Sequence, residues 1–148
     1  MPAAPDLNAS EYPEVLIVTP DLGLTTFLTE GLLPEGFWPS AVRSGLQALE
    51  VFRLRTFDAV VVDAALSDLP LDAFAARLRQ THNADGGEIR QSSDVALLIV
   101  AGIPQELAPY DLDAIAPGAV LVAPFELQEL VDGLRKIISE PQPTSEER

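Results

Sequence analysis

The sequence predicts an α/β protein built as a doubly wound, five-stranded parallel sheet with (βα)5 connectivity. Five short apolar runs alternate with amphipathic stretches along the chain, which is the pattern of successive βα units. The runs are mostly apolar, as expected for strands that helices cover on both faces. A length of 148 residues, of which 47% are hydrophobic, supports one domain with a sizeable core. The predicted strands are 14–18, roughly 39–43, 58–62, 95–101 and 119–123.

The first two helices are predicted from apolar residues that recur at helical spacing between these strands. The first helix places Leu24, Phe27, Leu28 and Leu32 on one face, and the second places Leu46, Leu49 and Phe52 there, with Ala48 as a further candidate. Ser44 is expected to cap the second helix, because its hydroxyl can accept a hydrogen bond from a free N–H group of the first turn. Each apolar face needs a sheet to cover it.

The three later helices have different sequence signals. The third is expected to be short, over about 71–80, with Asp72 near its start. Prolines interrupt the fourth at positions 104, 109 and 117, and an interior proline costs a helix about 3 kcal/mol, so we expect one broken or very short helix. The apolar face of the last helix comprises Leu127, Leu130, Val131, Leu134, Ile137 and Ile138.

The charge and composition of the chain exclude several classes of partner and site. Nine Lys+Arg residues against 23 Asp+Glu residues give a formal net charge of −14, and such a surface repels nucleic acid and anionic lipid. The chain has no Cys and only one His, His82, which excludes disulfides, thiolate sites and histidine metal sites. Its longest uncharged apolar run, 95–104, is about half the length needed to cross a bilayer. We therefore expect a cytoplasmic protein.

The two ends of the chain differ in composition from its centre. Residues 1–12 hold prolines and small residues and are expected to form a flexible leader, whereas residues 140–148 are polar and proline-interrupted, as expected for a disordered tail. The domain is then expected to span residues 13–139. The polar stretch 81–93, which contains His82, is longer than a typical connection and is interpreted as a loop that is either disordered or contacts a partner.

Four segments carry a resemblance to a known family. Residues 15–18 read Val-Leu-Ile-Val, residues 44–49 read Ser-Gly-Leu-Gln-Ala-Leu, residues 58–63 read Asp-Ala-Val-Val-Val-Asp, and residues 118–125 read Gly-Ala-Val-Leu-Val-Ala-Pro-Phe. In this order they resemble the first strand, second helix, third strand and fifth strand of the receiver domain of bacterial two-component response regulators. The resemblance implies a flavodoxin-like receiver fold with strand order 2-1-3-4-5, in which Asp63 takes the place of the phosphoacceptor aspartate.

The resemblance also implies a set of chemical groups around that aspartate. In receivers, two acids after the first strand join the acceptor in holding Mg²⁺, which prefers oxygen ligands in octahedral geometry. A lysine after the fifth strand neutralises the phosphoryl charge, and a serine or threonine after the fourth strand donates a hydrogen bond to the phosphoryl group. When the loops rearrange after phosphorylation, an aromatic residue on the fifth strand changes rotamer.

This sequence departs from the family at nearly every one of those positions. The substituted positions are Thr19 and Pro20 for the two acids, Ala101 for the hydroxyl residue, Ala123 for the lysine and Val120 for the aromatic residue. Asp63 alone is kept, and Asp21 is the only nearby acid. Because each missing charge-assisted contact is worth roughly 1.5–3 kcal/mol, we predict a degenerate receiver, or pseudo-receiver, whose phosphorylation switch has been lost.

Asp63 and Asp21 each have two interpretations. Asp63 is the candidate phosphoacceptor and, together with Asp21, a candidate Mg²⁺ ligand. Alternatively, Asp63 ends its strand in an Asx-turn, with its carboxylate accepting loop N–H groups, and Asp21 is the N-cap of the first helix. We expect no cofactor, and weak or absent Mg²⁺ binding. Trp38 is predicted to pack in the core or a hairpin, with contact to a partner as the alternative. The resemblance implies a cis peptide bond at Ala123–Pro124.

The sequence is compatible with three functions. The favoured one is a stand-alone signalling domain of the two-component, or phosphorelay, type, which is not an enzyme and binds a histidine kinase or an output protein without phosphorylation. The first alternative is a working receiver that is phosphorylated on Asp63 by a histidine kinase and hydrolyses that phosphate. The second alternative is binding of a small apolar molecule in the vacated pocket, lined by Thr19, Pro20, Ala101 and Ala123. A homodimer is left open.

Overall fold

Five parallel strands alternate with five α-helices in the structure, a computed structural model that describes residues 12–84 and 95–139. The strands are β1 (Glu14–Val18), β2 (Trp38–Val42), β3 (Ala59–Asp63), β4 (Ala96–Ala101) and β5 (Ala119–Val122). The predicted fold class is confirmed, and each predicted strand lies within about one residue of its expected place, as is usual for element ends. The expected leader (1–12) and tail (140–148) lie outside the described residues, apart from position 12.

The helices follow the strands in the order that the sequence predicts. They are α1 (Leu22–Leu32), α2 (Gly45–Leu54), α3 (Leu71–Ala84), α4 (Leu112–Ile115) and α5 (Leu127–Ser139). The prediction for α3 was too short, because the helix continues to Ala84 and includes the backbone of His82, which the sequence places in a loop. Residues 85–93 of that expected loop lie outside the described part of the chain.

The fourth helix is short, as the prolines predict. A 3₁₀ turn over Pro104–Glu106 comes first, and the α-helical part has only four residues, beginning after the N-cap Asp111. Ala116 ends it in the left-handed conformation with φ of 58°. The segment between β4 and β5 therefore presents loop backbone where a longer helix would otherwise cover the sheet.

The strand order is β2-β1-β3-β4-β5, and all neighbouring strands are parallel. Val18 is in register with Val42 on one side and Val62 on the other, and Asp63 is in register with Val100. Because the carboxyl ends of parallel strands meet at one edge of a sheet, the loops after β1, β3, β4 and β5 lie together there. This edge holds the candidate site.

Helices cover the sheet on both faces and divide the core into two clusters. One cluster packs α2, α3 and α4 on the sheet, with Phe52, Phe57 and Phe74 as its aromatic members. The other packs α1 and α5 on the opposite face. The predicted inner face of α5 is confirmed, since its central residues are fully buried and its ends pack against the same cluster. Among the described residues, no helix has the length and apolarity needed to cross a bilayer.

Three apolar residues are more exposed than the sequence predicts. Phe27 of α1 is 42% exposed and Leu46 of α2 is 52% exposed. Each of these two residues adjoins a buried residue in the sequence, and successive residues of a helix are rotated by about 100°. The part of each helix that contacts the sheet is therefore narrower than the row of apolar residues on its surface. Trp38 is 54% exposed, which contradicts its predicted core packing. It is the first residue of β2, an edge strand with a neighbour on only one side.

Candidate functional site

A cavity of about 370 Å³ opens at the carboxyl edge of the sheet. Its apolar walls include Pro20, Leu24, Ala101, Ala123 and Phe125. Three of the four residues predicted to line a vacated pocket are thus in its wall, whereas the fourth, Thr19, is buried and does not line the cavity. Three carboxylates line the cavity, those of Asp21, Asp63 and Glu106, and of the described residues no lysine, arginine or histidine does.

Asp63 lies at the end of β3 with its carboxylate almost enclosed. Its exposed fraction is 8%, and both carboxylate oxygens have a donor. Oδ2 accepts a hydrogen bond from the Thr19 hydroxyl at 2.6 Å, and Oδ1 accepts one from the Ala65 N–H at 2.9 Å. The second contact is the predicted Asx-turn, which is confirmed. The carboxylate is therefore held in place by groups of the chain itself.

Thr19 connects the ends of three strands. It follows β1 and is 1% exposed. Its N–H donates to the Val42 carbonyl of β2 at 3.1 Å, and its hydroxyl donates to Asp63 of β3. The same hydroxyl oxygen accepts a hydrogen bond from the Asp21 N–H at 3.0 Å. A hydroxyl has one hydrogen, so the proton of Thr19 is committed to Asp63.

The sequence predicts Thr19 as the replacement of an acid and as a lining residue of the vacated pocket, but it does not predict this contact with Asp63. The signal was available in the strand order, because β1 and β3 are adjacent and Val18 is in register with Val62. The residues that follow these two valines, Thr19 and Asp63, must then lie side by side. A hydroxyl beside a carboxylate forms a charge-assisted hydrogen bond, which is the stronger kind.

Asp21 is the N-cap of α1. Its Oδ1 accepts a hydrogen bond from the Leu24 N–H at 3.1 Å, and its backbone is extended, as an N-cap requires. The N-cap interpretation is confirmed. The side chain is exposed at the mouth of the cavity, on the same wall as Pro20.

Asp68 fastens the loop after β3 to the beginning of α2. Its two carboxylate oxygens accept hydrogen bonds from the N–H groups of Gly45 at 3.0 Å and Leu46 at 2.9 Å. Ser44, the predicted N-cap, accepts from the Gln47 N–H at 3.1 Å, so the first turn of α2 is capped by two side chains. Partial burial raises the pKa of Asp68, but its backbone hydrogen bonds outweigh that effect and hold the pKa below its ordinary value.

The loop that holds Asp68 also lies close to residue 45, where a side chain would be crowded. A Cβ at Gly45 would lie 3.2 Å from Leu69 and 3.3 Å from Leu66, side chains of the same loop. The loop that follows Asp63 therefore packs against the backbone of α2 at close range. No local sequence signal indicates this pair, because Asp68 and Gly45 are 23 positions apart.

Glu106 supplies the third carboxylate of the cavity. It ends the 3₁₀ turn after β4, and its Oε1 accepts a hydrogen bond from the Gly102 N–H at 2.7 Å. Both residues line the cavity. The sequence analysis did not identify Glu106 as a site residue.

The residues at this edge do not fit a Mg²⁺ site of the kind that receivers use. Mg²⁺ needs several oxygen ligands in near-octahedral geometry. Thr19 and Pro20 replace the acids that would join Asp63, and the carboxylate of Asp21 is turned to cap α1. Within residues 12–84 and 95–139, no group of three or more His, Cys, Asp or Glu side chains is placed to hold a metal ion. Weak or absent Mg²⁺ binding stays a prediction.

Comparison with known proteins relates the chain to solved structures only. No protein-family model matches it, and no curated protein matches it in sequence. A sensor protein from Polaromonas has 25% identity and a TM-score of 0.72, covering 85% of this chain and 95% of that chain. The receiver domain of a sensor histidine kinase from Pseudomonas aeruginosa, solved with magnesium in its active site cleft, has 21% identity and a TM-score of 0.74, covering 87% and 99%.

A third solved structure supports the same assignment. A chemotaxis response regulator of Vibrio cholerae has 17% identity and a TM-score of 0.73, covering 85% of this chain and 98% of that chain. The chain therefore has the fold of the receiver domains of response regulators, with the predicted strand order. The Ala123–Pro124 peptide bond is cis, as the resemblance implied.

Proposed function

We propose that this chain is a signalling module of the two-component type, which binds a histidine kinase or an output protein without phosphorylation of Asp63. The receiver fold supports the signalling role. The two hydrogen bonds that the Asp63 carboxylate accepts from the chain support a function that does not require phosphorylation. They are the observation on which the proposal depends.

A phosphoacceptor must present a free carboxylate oxygen to phosphorus. In this chain the Thr19 hydroxyl holds Oδ2 of Asp63 at 2.6 Å and the Ala65 N–H holds Oδ1 at 2.9 Å. Attack through Oδ2 would turn this oxygen into the uncharged bridging oxygen of an acyl phosphate, which is a weak acceptor, so the buried hydrogen bond from Thr19, worth about 1.5–3 kcal/mol, would be weakened or lost. Ala123, at the position of the lysine in receivers, supplies no cation that would offset this loss.

The charge around the cavity adds to this barrier. A phosphoryl group carries negative charge on its oxygens, and enzymes transfer it by positioning it and neutralising that charge. Here it would approach the carboxylates of Asp21 and Glu106, and the described part of the chain places no cationic side chain in the cavity wall. Both effects act in the same direction, so the chain would work as an interaction module and not as an enzyme.

Intact mass spectrometry tests the proposal directly. The protein is incubated with Mg²⁺ and acetyl phosphate, and the Asp63→Asn variant is treated in parallel as the control. We expect no gain of a phosphoryl group in either protein. A gain in the wild type that Asp63→Asn abolishes would contradict the proposal and favour the working receiver.

The cavity favours a second candidate function, which is binding of a small molecule. Its volume of about 370 Å³ falls in the range of about 300–1,000 Å³ that is usual for ligand pockets. Apolar walls and carboxylates suit a neutral or cationic molecule better than an anion. An NMR screen of such molecules tests this: a true ligand shifts the Ala65 and Gly102 amides, and Ala123→Phe, which fills the cavity, abolishes the shift. Shifts that persist in that variant would count against the candidate.

A further inference from the structure

The backbone N–H groups at the rim of the cavity are bound by side chains of the same chain. The Leu24 N–H donates to the Asp21 carboxylate, and the Ala65 N–H donates to the Asp63 carboxylate. The Gly102 N–H donates to the Glu106 carboxylate. Backbone N–H groups in loops are the usual donors to a bound anion. An anion that enters this cavity therefore finds its donors already taken by carboxylates.

Glu106 differs from the other two carboxylates in what it does for the fold. Asp21 caps a helix of eleven residues and Asp63 ends a buried strand, whereas Glu106 reaches back only to Gly102 across one short 3₁₀ turn. Gly102 is exposed, and a Cβ placed on it would meet nothing closer than the Glu106 carboxylate at 3.6 Å. The Gly102 N–H is thus an accessible donor at the cavity, blocked by a single side chain.

We propose that Glu106 is an autoinhibitory anion, which occupies the Gly102 N–H and closes the cavity to phosphoryl groups and other anions. This inference deepens the proposed function and rests on it, since it names a residue that keeps the site unresponsive to phosphate. The carboxylate acts in two ways: it takes the hydrogen bond that an anion would accept, and it repels the charge that an anion brings.

Three variants separate these two effects. Glu106→Ala frees the N–H and removes the charge, while Glu106→Gln removes the charge and keeps an amide oxygen that can accept from Gly102. Glu129→Ala is the matched control, because Glu129 also accepts a backbone hydrogen bond, from Glu126 at 2.9 Å, and does not line the cavity. All three proteins lose one negative charge.

The probe is inorganic phosphate at constant ionic strength, followed by the NMR shift of the Gly102 amide. Because a hydrogen bond to a charged group must be displaced in the wild type, we expect Glu106→Ala to bind phosphate at least about tenfold more tightly. The phosphate affinity of Glu106→Gln should lie between those of the wild type and Glu106→Ala, and the affinity of Glu129→Ala should match that of the wild type. Circular dichroism confirms that each variant is folded before titration.

Two results would overturn the inference. Equal titrations of the wild type, Glu106→Ala and Glu106→Gln would show that the carboxylate does not block the cavity. A gain in Glu129→Ala as large as in Glu106→Ala would show that overall charge is the cause. Either result leaves the proposed function standing if wild type is not labelled by acetyl phosphate, whereas labelling of Asp63 overturns the proposed function whatever the titrations give.

Discussion

Replacing Thr19 by valine isolates the hydrogen bond on which the proposed function depends. Valine keeps the branched shape and removes the hydroxyl, so Oδ2 of Asp63 loses its donor and the Asp21 N–H loses its acceptor. Asp63 is 8% exposed, and water replaces little of what is lost. A buried hydrogen bond to a charged group contributes about 1.5–3 kcal/mol, so we expect Thr19→Val to lower the free energy of unfolding by about 2–3 kcal/mol at neutral pH.

Urea unfolding at equilibrium measures this loss, and a double-mutant cycle assigns it to the pair. In the Asp63→Asn background the partner of Thr19 is a neutral amide, and the cost of Thr19→Val should fall by about 1 kcal/mol or more. Thr29→Val is a matched control, because its hydroxyl donates only within its own helix, to the carbonyls of Thr25 at 2.8 Å and Thr26 at 3.3 Å. We expect that control to change the stability by no more than about 0.5 kcal/mol.

The reasoning fails if Thr19→Val costs no more than the Thr29 control. It also fails if the cost of Thr19→Val is the same in the wild-type background and in the Asp63→Asn background, since the hydroxyl would then stabilise the fold through some contact other than Asp63. In that case the carboxylate would be freer than its geometry indicates, and the argument against phosphorylation would lose its main support.

The same geometry supports three further predictions. Asp68→Asn should destabilise the fold by no more than about 0.5–1 kcal/mol near pH 7, because solvent screens this exposed carboxylate. Since the folded-state pKa of Asp68 is lowered, the difference should shrink as the pH falls below 3.8, and urea midpoints that differ equally at pH 7 and below pH 3.8 would contradict this. Thr19→Asp with Pro20→Asp and Ala123→Lys should gain Mg²⁺-dependent labelling at Asp63, measured by intact mass, and should be less stable in chelator than in Mg²⁺. Self-association, measured by sedimentation velocity, should not change when beryllofluoride and Mg²⁺ are added, and a shift in oligomeric state would contradict the loss of the switch.

The fold could be predicted from the sequence because its main signals are local. Continuous apolar runs mark buried parallel strands, and the i, i+3, i+4 spacing from Leu127 to Ile138 marks the inner face of α5. The three prolines after β4 correctly predict a very short helix, since each removes an N–H and restricts the backbone before it. None of these signals depends on knowing which elements are neighbours.

Errors arose where burial depends on the neighbouring layer. Periodicity finds the apolar side of a helix but does not say how wide the contact with the sheet is, so Phe27 and Leu46 were placed in the core although both are exposed. The prediction for Trp38 is also wrong, because this residue is 54% exposed at the beginning of β2, whereas Val42 at the end of the same strand is buried. An exposed aromatic residue cannot be told from a buried one by its type alone.

The candidate site was predicted in part, and the missed contacts are of two kinds. Asp63 and the Asp21 N-cap could be found, because a strand end and a helix start each have a local sequence signal. Asp68 could not be found, since its partners on α2 come close only after the sheet has formed. The Glu106 contact spans four residues and was visible in principle, but its importance depends on the cavity that both it and Gly102 line.

At this site, hydrogen bonds from the chain itself stand where receivers have a metal ion and a lysine. Three carboxylates beside one cavity, in a chain of net charge −14, would repel one another if no cation stood between them. Receivers meet that requirement with a metal and a lysine. Here each carboxylate accepts hydrogen bonds from the chain: Asp21 from a helix N–H, Asp63 from a hydroxyl and a loop N–H, and Glu106 from the loop after β4. We expect a site stabilised in this way to fold without a cation, and the two hydrogen bonds to Asp63 support the proposal that it is not a phosphoacceptor.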